Sequence, residues 1–358
     1  MLRTYHVKFL NKINIKEYLY VILHMDHIAE EYANKHQMLR EHEQRKPTPT
    51  EKHEEYQYLE LLQDIIEKGH WEQGRNGKTK SLFGRCMRFS LENNKIPILT
   101  TKKTAWKTCL KELLWFIRGE TDNHILKQQN VHIWDANGTR EFLDSVGLTD
   151  YEEDELGCIY GWQWRRFNEP YIPNRVKNVS ADGVSEVTGV EAGVNEVTGV
   201  DQLQQIIHAL KDPAQRTSRR LIMTAWNPCQ LNQMALPPCH VICQFNVHDG
   251  NKLSCAMMQR SVDCGLGQPF NIASYSFLTH LLAKHCGLEA SEFIYFMGNC
   301  HIYEEHMDSM KEQIQREPFD FPTLHINQIH ENINDYQTED FVISDYKSHE
   351  PLKMKMIA

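Results

Sequence analysis

Long apolar runs are absent from this 358-residue sequence, and none approaches the roughly 20 residues that a membrane-spanning helix needs. Basic residues are not in excess either: 39 Lys and Arg stand against 48 Asp and Glu, a formal charge of −9. This balance argues against a general binder of DNA or other nucleic acid, so an anionic ligand requires a local arginine cluster. The ten cysteines include no Cys-x-x-Cys pair, which favours free, buried thiols in a reducing compartment. We therefore expect a cytoplasmic protein with no membrane partner.

Composition divides the chain into an N-terminal extension, residues 1–50, and a larger domain, residues 51–358. The extension is rich in His, Glu and Lys and closes with the linker-like KPTPT, so we expect it to be partly helical or disordered. Its first 16 residues are basic without an acid, which leaves a mitochondrial presequence open as an alternative. An unusual segment at about 172–201 contains EVTGV twice, which is typical of a surface insertion.

Hydrophobic periodicity predicts helices and strands in mixed order. HEEYQYLELLQDIIEKG places Leu59, Leu62 and Ile66 on one helical face, with Gly69 as a stop. Two further segments, TAWKTCLKELLWFIRG and NIASYSFLTHLLAKHCG, predict buried helices, and IYEEHMDSMKEQIQRE a more polar one. Four segments predict strands: RLIMTAW, CHVICQFNV, KLSCAMMQRS and EFIYFMG. Because regular βαβ alternation is absent, we expect an α+β fold: a single large domain with a mixed sheet packed by helices.

The strongest local signal is ALPPCHVICQFNV. Its two prolines fix the chain ahead of Cys239, and a strand begins immediately after it, so the thiol lies at a rigid strand entrance. An arbitrary buried cysteine is more often a packing residue. A nucleophile needs a positive group nearby to hold the thiolate, and Arg260 on the next predicted strand is a candidate.

Arginines in RTSRRLIM, namely Arg216, Arg219 and Arg220, add to this candidate site. Guanidinium groups form forked hydrogen bonds to a phosphate dianion, which lysine cannot match. An arginine cluster is usually a solvated face, so this pattern alone is moderate evidence.

Three further motifs carry polar groups in apolar surroundings. Asn271 stands at the mouth of a predicted buried helix, where it is either a helix cap or an amide that pairs with the edge of a uracil. Glu112 lies in a helix with almost no polar face, so burial should raise its pKa, as in a proton relay or a structural ion pair. His301 and Tyr303 alternate on one side of an extended segment, where they either bind a ligand or pack.

Together these motifs closely resemble the thymidylate synthase family, folate-dependent enzymes that methylate dUMP to dTMP. The resemblance runs from about Tyr58 to the last residue, interrupted at 172–201. Its blocks are LTTKK, ELLWFIRGETD, IWDANGTREFLDSVGL, YGWQWRRF, LPPCHVICQF, QRSVDCGLGQPFNIASY and HIYEEH. It implies that residues 51–358 form the catalytic domain of an enzyme for dTMP biosynthesis.

The resemblance implies a nucleotide site residue by residue. Cys239 would add to C6 of dUMP, with His240 beside it, while Asn271 reads the pyrimidine edge. Glu112 would organise waters for proton transfer, and Tyr160 would assist removal of the C5 proton. The remaining implied contacts to dUMP are Arg75, Arg219, Arg220, Gln259, Arg260, Ser261, Asp263, His301 and Tyr303.

The same resemblance implies 5,10-methylenetetrahydrofolate as a co-substrate, with no metal and no nicotinamide. The implied folate-binding residues are Lys102, Ile133, Trp134, Asn137, Asp263, Gly267, Phe270 and Ala358. It also implies a homodimer formed through a face of the sheet, in which Arg219 and Arg220 enter the partner's site. RNA binding has no support in the sequence.

Three segments depart from the family pattern. The phosphate loop, usually D-R-T-G-T-G, reads Gly74-Arg75-Asn76-Gly77-Lys78-Thr79 here. The usual G-D-A-H-I-Y reads Gly298-Asn299-Cys300-His301-Ile302-Tyr303, which loses a carboxylate next to the sugar-binding pair. The chain ends in Ile-Ala where Ala-Val is usual. These changes bear on the rate and not on the reaction.

Two other functions remain as alternatives. A dCMP hydroxymethylase would use the same nucleophile and folate, but an aspartate is expected there at the position of Asn271. An inactive homologue that binds a nucleotide or RNA would bind without turnover.

Overall fold

The structure, a computed structural model, describes residues 52–175 and 199–357. The chain divides into two units, Met1–Lys52 and His53–Ala358, and the described residues belong almost wholly to the second. The predicted extension at 1–50 lies outside the described residues, as does most of the predicted insertion at 172–201. Both remain predictions.

A six-stranded sheet organises the second unit. Its strands are β1 His70–Gly74, β2 Gly77–Ser90, β3 Ile222–Thr224, β4 His240–His248, β5 Lys252–Asp263 and β6 Glu289–Tyr303. Their spatial order is β1-β2-β6-β5-β4-β3. All neighbours are antiparallel except β5 and β6, which run parallel. The sheet is therefore mixed, as predicted. A second sheet pairs β7 Thr323–Ile326 with β8 Phe341–Ser344.

Nine helices accompany the sheets in the described part of the chain. They are α1 Tyr56–Lys68, α2 Trp106–Ile117, α3 Asn123–Gln128, α4 Asp135–Gly138, α5 Arg140–Ser145, α6 Tyr160–Arg166, α7 Gln202–Lys211, α8 Gly267–His285 and α9 Met307–Gln313. The longest, α8, is buried along almost its whole length and packs on β5, β6 and α2. Within the described residues, no helix combines the length and apolar character needed to cross a bilayer.

One face of the sheet is buried and the other is open. Along β4, Cys243, Phe245 and Val247 are buried, while Ile242 before them and Gln244 between the first two are exposed. This alternation follows from the period of two in a strand, which sends successive side chains to opposite faces. The helices cover the buried face, and the α+β fold class is confirmed.

Two predicted helix boundaries are wrong. Helix α8 begins at Gly267, one turn before Asn271, so Asn271 lies inside the helix and does not cap it. The polar helix predicted from IYEEHMDSMKEQIQRE is shorter, because Glu304–His306 forms a 3₁₀ turn and α9 covers only Met307–Gln313. The predicted turn between β4 and β5 is confirmed: it connects the paired residues His248 and Lys252, and Asp249 and Gly250 within it both have positive φ.

All ten cysteines are free thiols, and seven of them are buried. This agrees with the expectation that they are small apolar residues of the core. Cys239 is one of the three that are not fully buried.

Candidate active site

Cys239 lies at the entrance of β4, held by contacts with β5. Its carbonyl accepts a hydrogen bond from the Arg260 backbone N–H at 2.9 Å. The Arg260 guanidinium donates to the carbonyls of Pro238 and Pro237, at 2.9 and 2.8 Å. The two prolines thus fix the arginine as well as the nucleophile.

Burial raises the pKa of the Cys239 thiol, while Arg260 and a hydrogen bond with Tyr160 lower it. The arginine therefore acts in the predicted direction, but desolvation outweighs it.

Tyr160 contacts the nucleophile through the backbone. Its hydroxyl oxygen accepts the Cys239 N–H at 2.7 Å, and its phenol proton can donate to the Cys239 sulfur, whose pKa this hydrogen bond lowers. Burial raises the pKa of Tyr160 well above its usual value, so the phenol remains protonated. Its ring stacks on Phe116 of α2, with centroids 4.8 Å apart.

Glu112, the predicted proton-transfer residue, lies on α2. The Trp134 indole N–H donates to its carboxylate at 2.8 Å. Burial raises the pKa of Glu112 to about 7, and the indole hydrogen bond only partly opposes this rise. The predicted shift in pKa is confirmed, and the carboxyl group exchanges a proton near neutral pH.

Replacing Glu112 with Gln should change how stability depends on pH. Between about pH 4.5 and 7, the folded protein keeps a proton on Glu112 that the unfolded chain loses, so this residue's contribution to stability falls as pH rises. The Glu112→Gln variant should gain on the order of 2 kcal/mol relative to wild type between pH 5 and pH 8. Urea unfolding at both pH values measures this difference, and an equal difference at both would contradict it.

His240 and Asn271 form a buried pair next to the nucleophile. The Asn271 side-chain NH₂ donates to His240 Nε2 at 2.7 Å. Burial lowers the pKa of His240 to about 4, so the ring is neutral and its proton lies on Nδ1. This bond fixes the amide of Asn271 and leaves its second N–H and its oxygen available, a donor and an acceptor side by side.

The ends of β5, β6 and β2 bring together the predicted phosphate and sugar contacts. Ser261 and Asp263 pair with Asn299 and His301 across the parallel strands. The rings of His301 and Tyr303 lie 5.3 Å apart at 90°, so the predicted alternation on one side of the segment is confirmed. Arg75 lies at the exposed tip of the β1–β2 hairpin, beyond the Gly74–Gly77 pair.

Most of the predicted folate-binding residues come from α4 and the two residues before it, from the start of α8 and from the segment that contains Lys102. Trp134 and Asn137 are buried at α4, and Gly267 lies close to Asp263 at the start of α8. The buried Lys102 ammonium donates to the Gly265 carbonyl, and burial lowers the pKa of Lys102 to about 8. Ile133 and Phe270 are half-buried. Ala358 lies outside the described residues.

Three of the predicted dUMP-binding residues, Gln259, Arg219 and Arg220, make no hydrogen bond to the other predicted site side chains in the described part of the chain. Both ends of the Gln259 amide are occupied inside the protein, because its oxygen accepts from the Tyr295 hydroxyl at 2.5 Å and its NH₂ donates to the Ser261 carbonyl at 2.9 Å. Arg219 and Arg220 are exposed ahead of β3. Within the described residues, neither guanidinium hydrogen-bonds a predicted site residue.

Sequence reasoning missed two residues at this site. The Arg260 guanidinium carbon Cζ lies over the Trp226 ring, 5.4 Å from the ring centroid. Asn299 lies 3.0 Å from the His301 ring nitrogen Nδ1. Asn299 was visible only as a departure from the family pattern, and Trp226 only as the aromatic end of a predicted strand.

A cavity of about 720 Å³ lies away from these groups, lined in part by Lys252, His280 and Leu324. Lys252 begins β5, whereas Arg260 lies near its other end, so the cavity holds none of the predicted site residues. In the described ranges, no group of three or more His, Cys, Asp or Glu side chains could hold a metal ion.

Comparison with known proteins gives one consistent family. The family model described as Thymidylate synthase matches residues 56–358. The bifunctional dihydrofolate reductase-thymidylate synthases of Leishmania major and Plasmodium berghei (strain Anka) are 46% and 48% identical to this chain, over 85% and 86% of its length. A putative bifunctional dihydrofolate reductase-thymidylate synthase of Oryza sativa subsp. japonica is 45% identical over 86%. The matches cover 55%, 49% and 58% of those proteins, so the chain spans about half the length of the curated relatives it matches.

Proposed function

Since this chain belongs to the thymidylate synthase family, we propose that it methylates dUMP reductively to dTMP, with 5,10-methylenetetrahydrofolate as co-substrate and dihydrofolate as the other product. The observation that carries the proposal is the linked set Cys239, His240 and Asn271. His240, next to the nucleophile, fixes the side-chain amide of Asn271 by a hydrogen bond. The remaining N–H of that amide can donate to O4 of uracil, and its oxygen can accept from N3–H. Cytosine offers a donor at position 4 and an acceptor at N3, so the alternative dCMP substrate fits this orientation poorly.

Cys239 would open the reaction by bonding its sulfur to C6 of the uracil ring. The electrons of the C5–C6 double bond then move toward O4, which becomes an enolate oxygen. The Asn271 N–H is fixed before the substrate arrives, so it stabilises this charge without reorganising. Arg260 lowers the pKa of the thiol and favours the attacking thiolate.

Glu112 and Tyr160 would handle the protons. A carboxyl group with a pKa of about 7 can give and take a proton through water near neutral pH. Tyr160 lies against the nucleophile's backbone and keeps its phenol proton, so it can orient a base or water at C5. The bound folate supplies the one-carbon unit and the hydride.

Several residues present fit a bound folate. Trp134 and Asn137 are buried, and the Asp263 carboxylate is fixed because it accepts the Gly265 N–H at 2.8 Å, so its other oxygen could accept from the folate. The tail passes over this region, since the His306 ring nitrogen Nε2 donates to the Lys355 carbonyl at 2.8 Å. A tail held there would exclude water from the site.

A homodimer is part of the proposal. The open face of the sheet carries Ile242, Met258 and Phe296 side by side on β4, β5 and β6. An exposed apolar row of this kind favours association. Burying it between two chains would bring Arg219 and Arg220 of one chain to the phosphate end of the other. A cytoplasmic location without DNA or membrane partners accompanies this proposal.

The test is turnover with purified protein. Mixing it with methylenetetrahydrofolate and dUMP should produce dihydrofolate, followed by absorbance, and an equal amount of dTMP. dCMP in place of dUMP should give little product. Conversion of dCMP to 5-hydroxymethyl-dCMP, detected by mass and without dihydrofolate, would support the hydroxymethylase instead. Binding of dUMP without any turnover would support the binding protein.

A further inference from the structure

Asn299 and His301 lie two residues apart on β6 and contact each other. The His301 ring nitrogen Nδ1 is 3.0 Å from Asn299 Oδ1. An amide oxygen can only accept a hydrogen bond, so the proton of this contact belongs to His301 Nδ1. In a neutral imidazole the other nitrogen, Nε2, then carries a lone pair and accepts.

The charged groups around His301 come from two other strands. Asp263 pairs with it on β5, and Glu72 approaches from β1; both carboxylates raise the pKa of His301. Burial lowers the pKa more strongly, so the ring is neutral at neutral pH. Ser81 pairs with it on β2, and the Tyr303 ring stands perpendicular to it.

His301 Nε2 and the Tyr303 hydroxyl both remain open. Within the described ranges, no hydrogen bond joins either atom to another protein group. One acceptor and one hydroxyl next to each other suit a ligand hydroxyl, which can donate to the first and accept from the second.

We propose that Asn299 is a positioning residue that holds His301 as the Nδ1–H tautomer, so that Nε2 accepts a hydrogen bond from the 3′-hydroxyl of the nucleotide sugar. This inference rests on the proposed function for the identity of the ligand. It makes the site selective for nucleotides whose 3′ group donates a hydrogen bond. A carboxylate at position 299, as in the usual family pattern, would instead favour an imidazolium ring, whose Nε2 donates.

The tautomer can be observed directly. In protein labelled with ¹⁵N at the histidine rings, His301 should show a neutral ring protonated on Nδ1 at pH 7.5. The His301→Gln variant assigns its signals. In Asn299→Asp the pKa of His301 should rise, and both nitrogens should be protonated below that raised pKa. A wild-type ring protonated on Nε2, or charged at pH 7.5, would overturn the proposal.

Binding measures the consequence. By calorimetry, wild-type protein should bind 3′-fluoro-dUMP about tenfold more weakly than dUMP, because fluorine cannot donate to Nε2. In Asn299→Asp, measured below the raised pKa of His301, the difference should shrink to about a few-fold, because an imidazolium no longer needs a donor on the ligand and still donates weakly to fluorine. Asn327→Asp makes the same charge change at an exposed residue of the β7 region and should behave as wild type. An unchanged ratio in Asn299→Asp would contradict the proposal.

A second variant guards against misfolding of the first. Asn299→Ala removes the acceptor without adding charge, so the two neutral tautomers of His301 should both be populated. The logarithm of the affinity ratio between dUMP and 3′-fluoro-dUMP should then fall by about half or more. Neither measurement needs turnover. A protein that binds dUMP with the expected tautomer but makes no dTMP would overturn the proposed function alone, whereas normal turnover with the other tautomer would overturn this inference alone.

Discussion

Replacing Cys239 with Ala should reduce the formation of dTMP by about 10⁴-fold or more, while dUMP affinity changes by only a few-fold. The large loss follows because a nucleophile that forms a covalent intermediate has no substitute among its neighbours. Affinity should persist because the amide of Asn271 is held by His240, and Arg260 is held by the proline carbonyls, without help from the thiol. Dihydrofolate formation and dUMP calorimetry measure the two quantities separately.

Cys229→Ala is the matched control. That thiol is exposed, and Cys229 contributes a backbone N–H to Asn227 that alanine keeps. Wild type and Cys229→Ala should both trap a covalent adduct with 5-fluoro-dUMP and methylenetetrahydrofolate, detected by intact mass, and Cys239→Ala should not. An adduct on the Cys239→Ala protein would place the nucleophile elsewhere and remove the basis of the mechanism.

Hydrophobic periodicity predicted the main buried helices and four of the six strands of the large sheet, β3 to β6, but it did not predict β1 and β2. Strands β4 to β6 and helices α1, α2 and α8 were all found, because each pairs a regular apolar pattern with a clear stop signal. The predicted helix began at Asn271, whereas α8 begins at Gly267 and includes Pro269. In the structure Pro269 is the third residue of the helix, where backbone N–H groups have no partner inside the helix and proline costs little.

The chemistry of the site was predicted where it depends on local surroundings. Glu112 is an example: an acid inside an apolar helix must be desolvated, whatever the tertiary structure. The balance at Cys239 could not be predicted, because it sets the burial of one thiol against one guanidinium, and both depend on packing. The bond between Asn299 and His301 also required coordinates, since sequence spacing does not show which side-chain atoms meet.

Disrupting the open sheet face should be nearly as damaging as removing the nucleophile. Ile242 is 37% exposed on β4, and Phe296 is 46% exposed on β6, with Met258 between them. Ile242→Asp would place a charge at one end of this row, where a dimer would bury it at a cost of several kcal/mol. We expect a folded monomer with more than about 100-fold less activity, because the phosphate end of each site then lacks Arg219 and Arg220.

Ile329→Asp makes the same substitution at a residue that is 59% exposed and lies outside the sheet. It should remain dimeric and active, as judged by sedimentation velocity and turnover, with circular dichroism to confirm the fold of both variants. An Ile242→Asp protein that stays dimeric, or a monomer with full activity, would contradict the proposed assembly.

Mixed dimers show whether the arginines cross between chains. The Cys239→Ala variant and an Arg219→Ala, Arg220→Ala double variant should each be inactive alone. After subunit exchange, half of the dimers are mixed, and one of the two sites in each combines an intact cysteine with intact arginines. Activity should therefore recover to about a quarter of wild type. Each chain of the mixed dimer carries a defect, so this recovery requires arginines donated by the partner subunit. Exchange without recovery would mean that Arg219 and Arg220 serve their own chain.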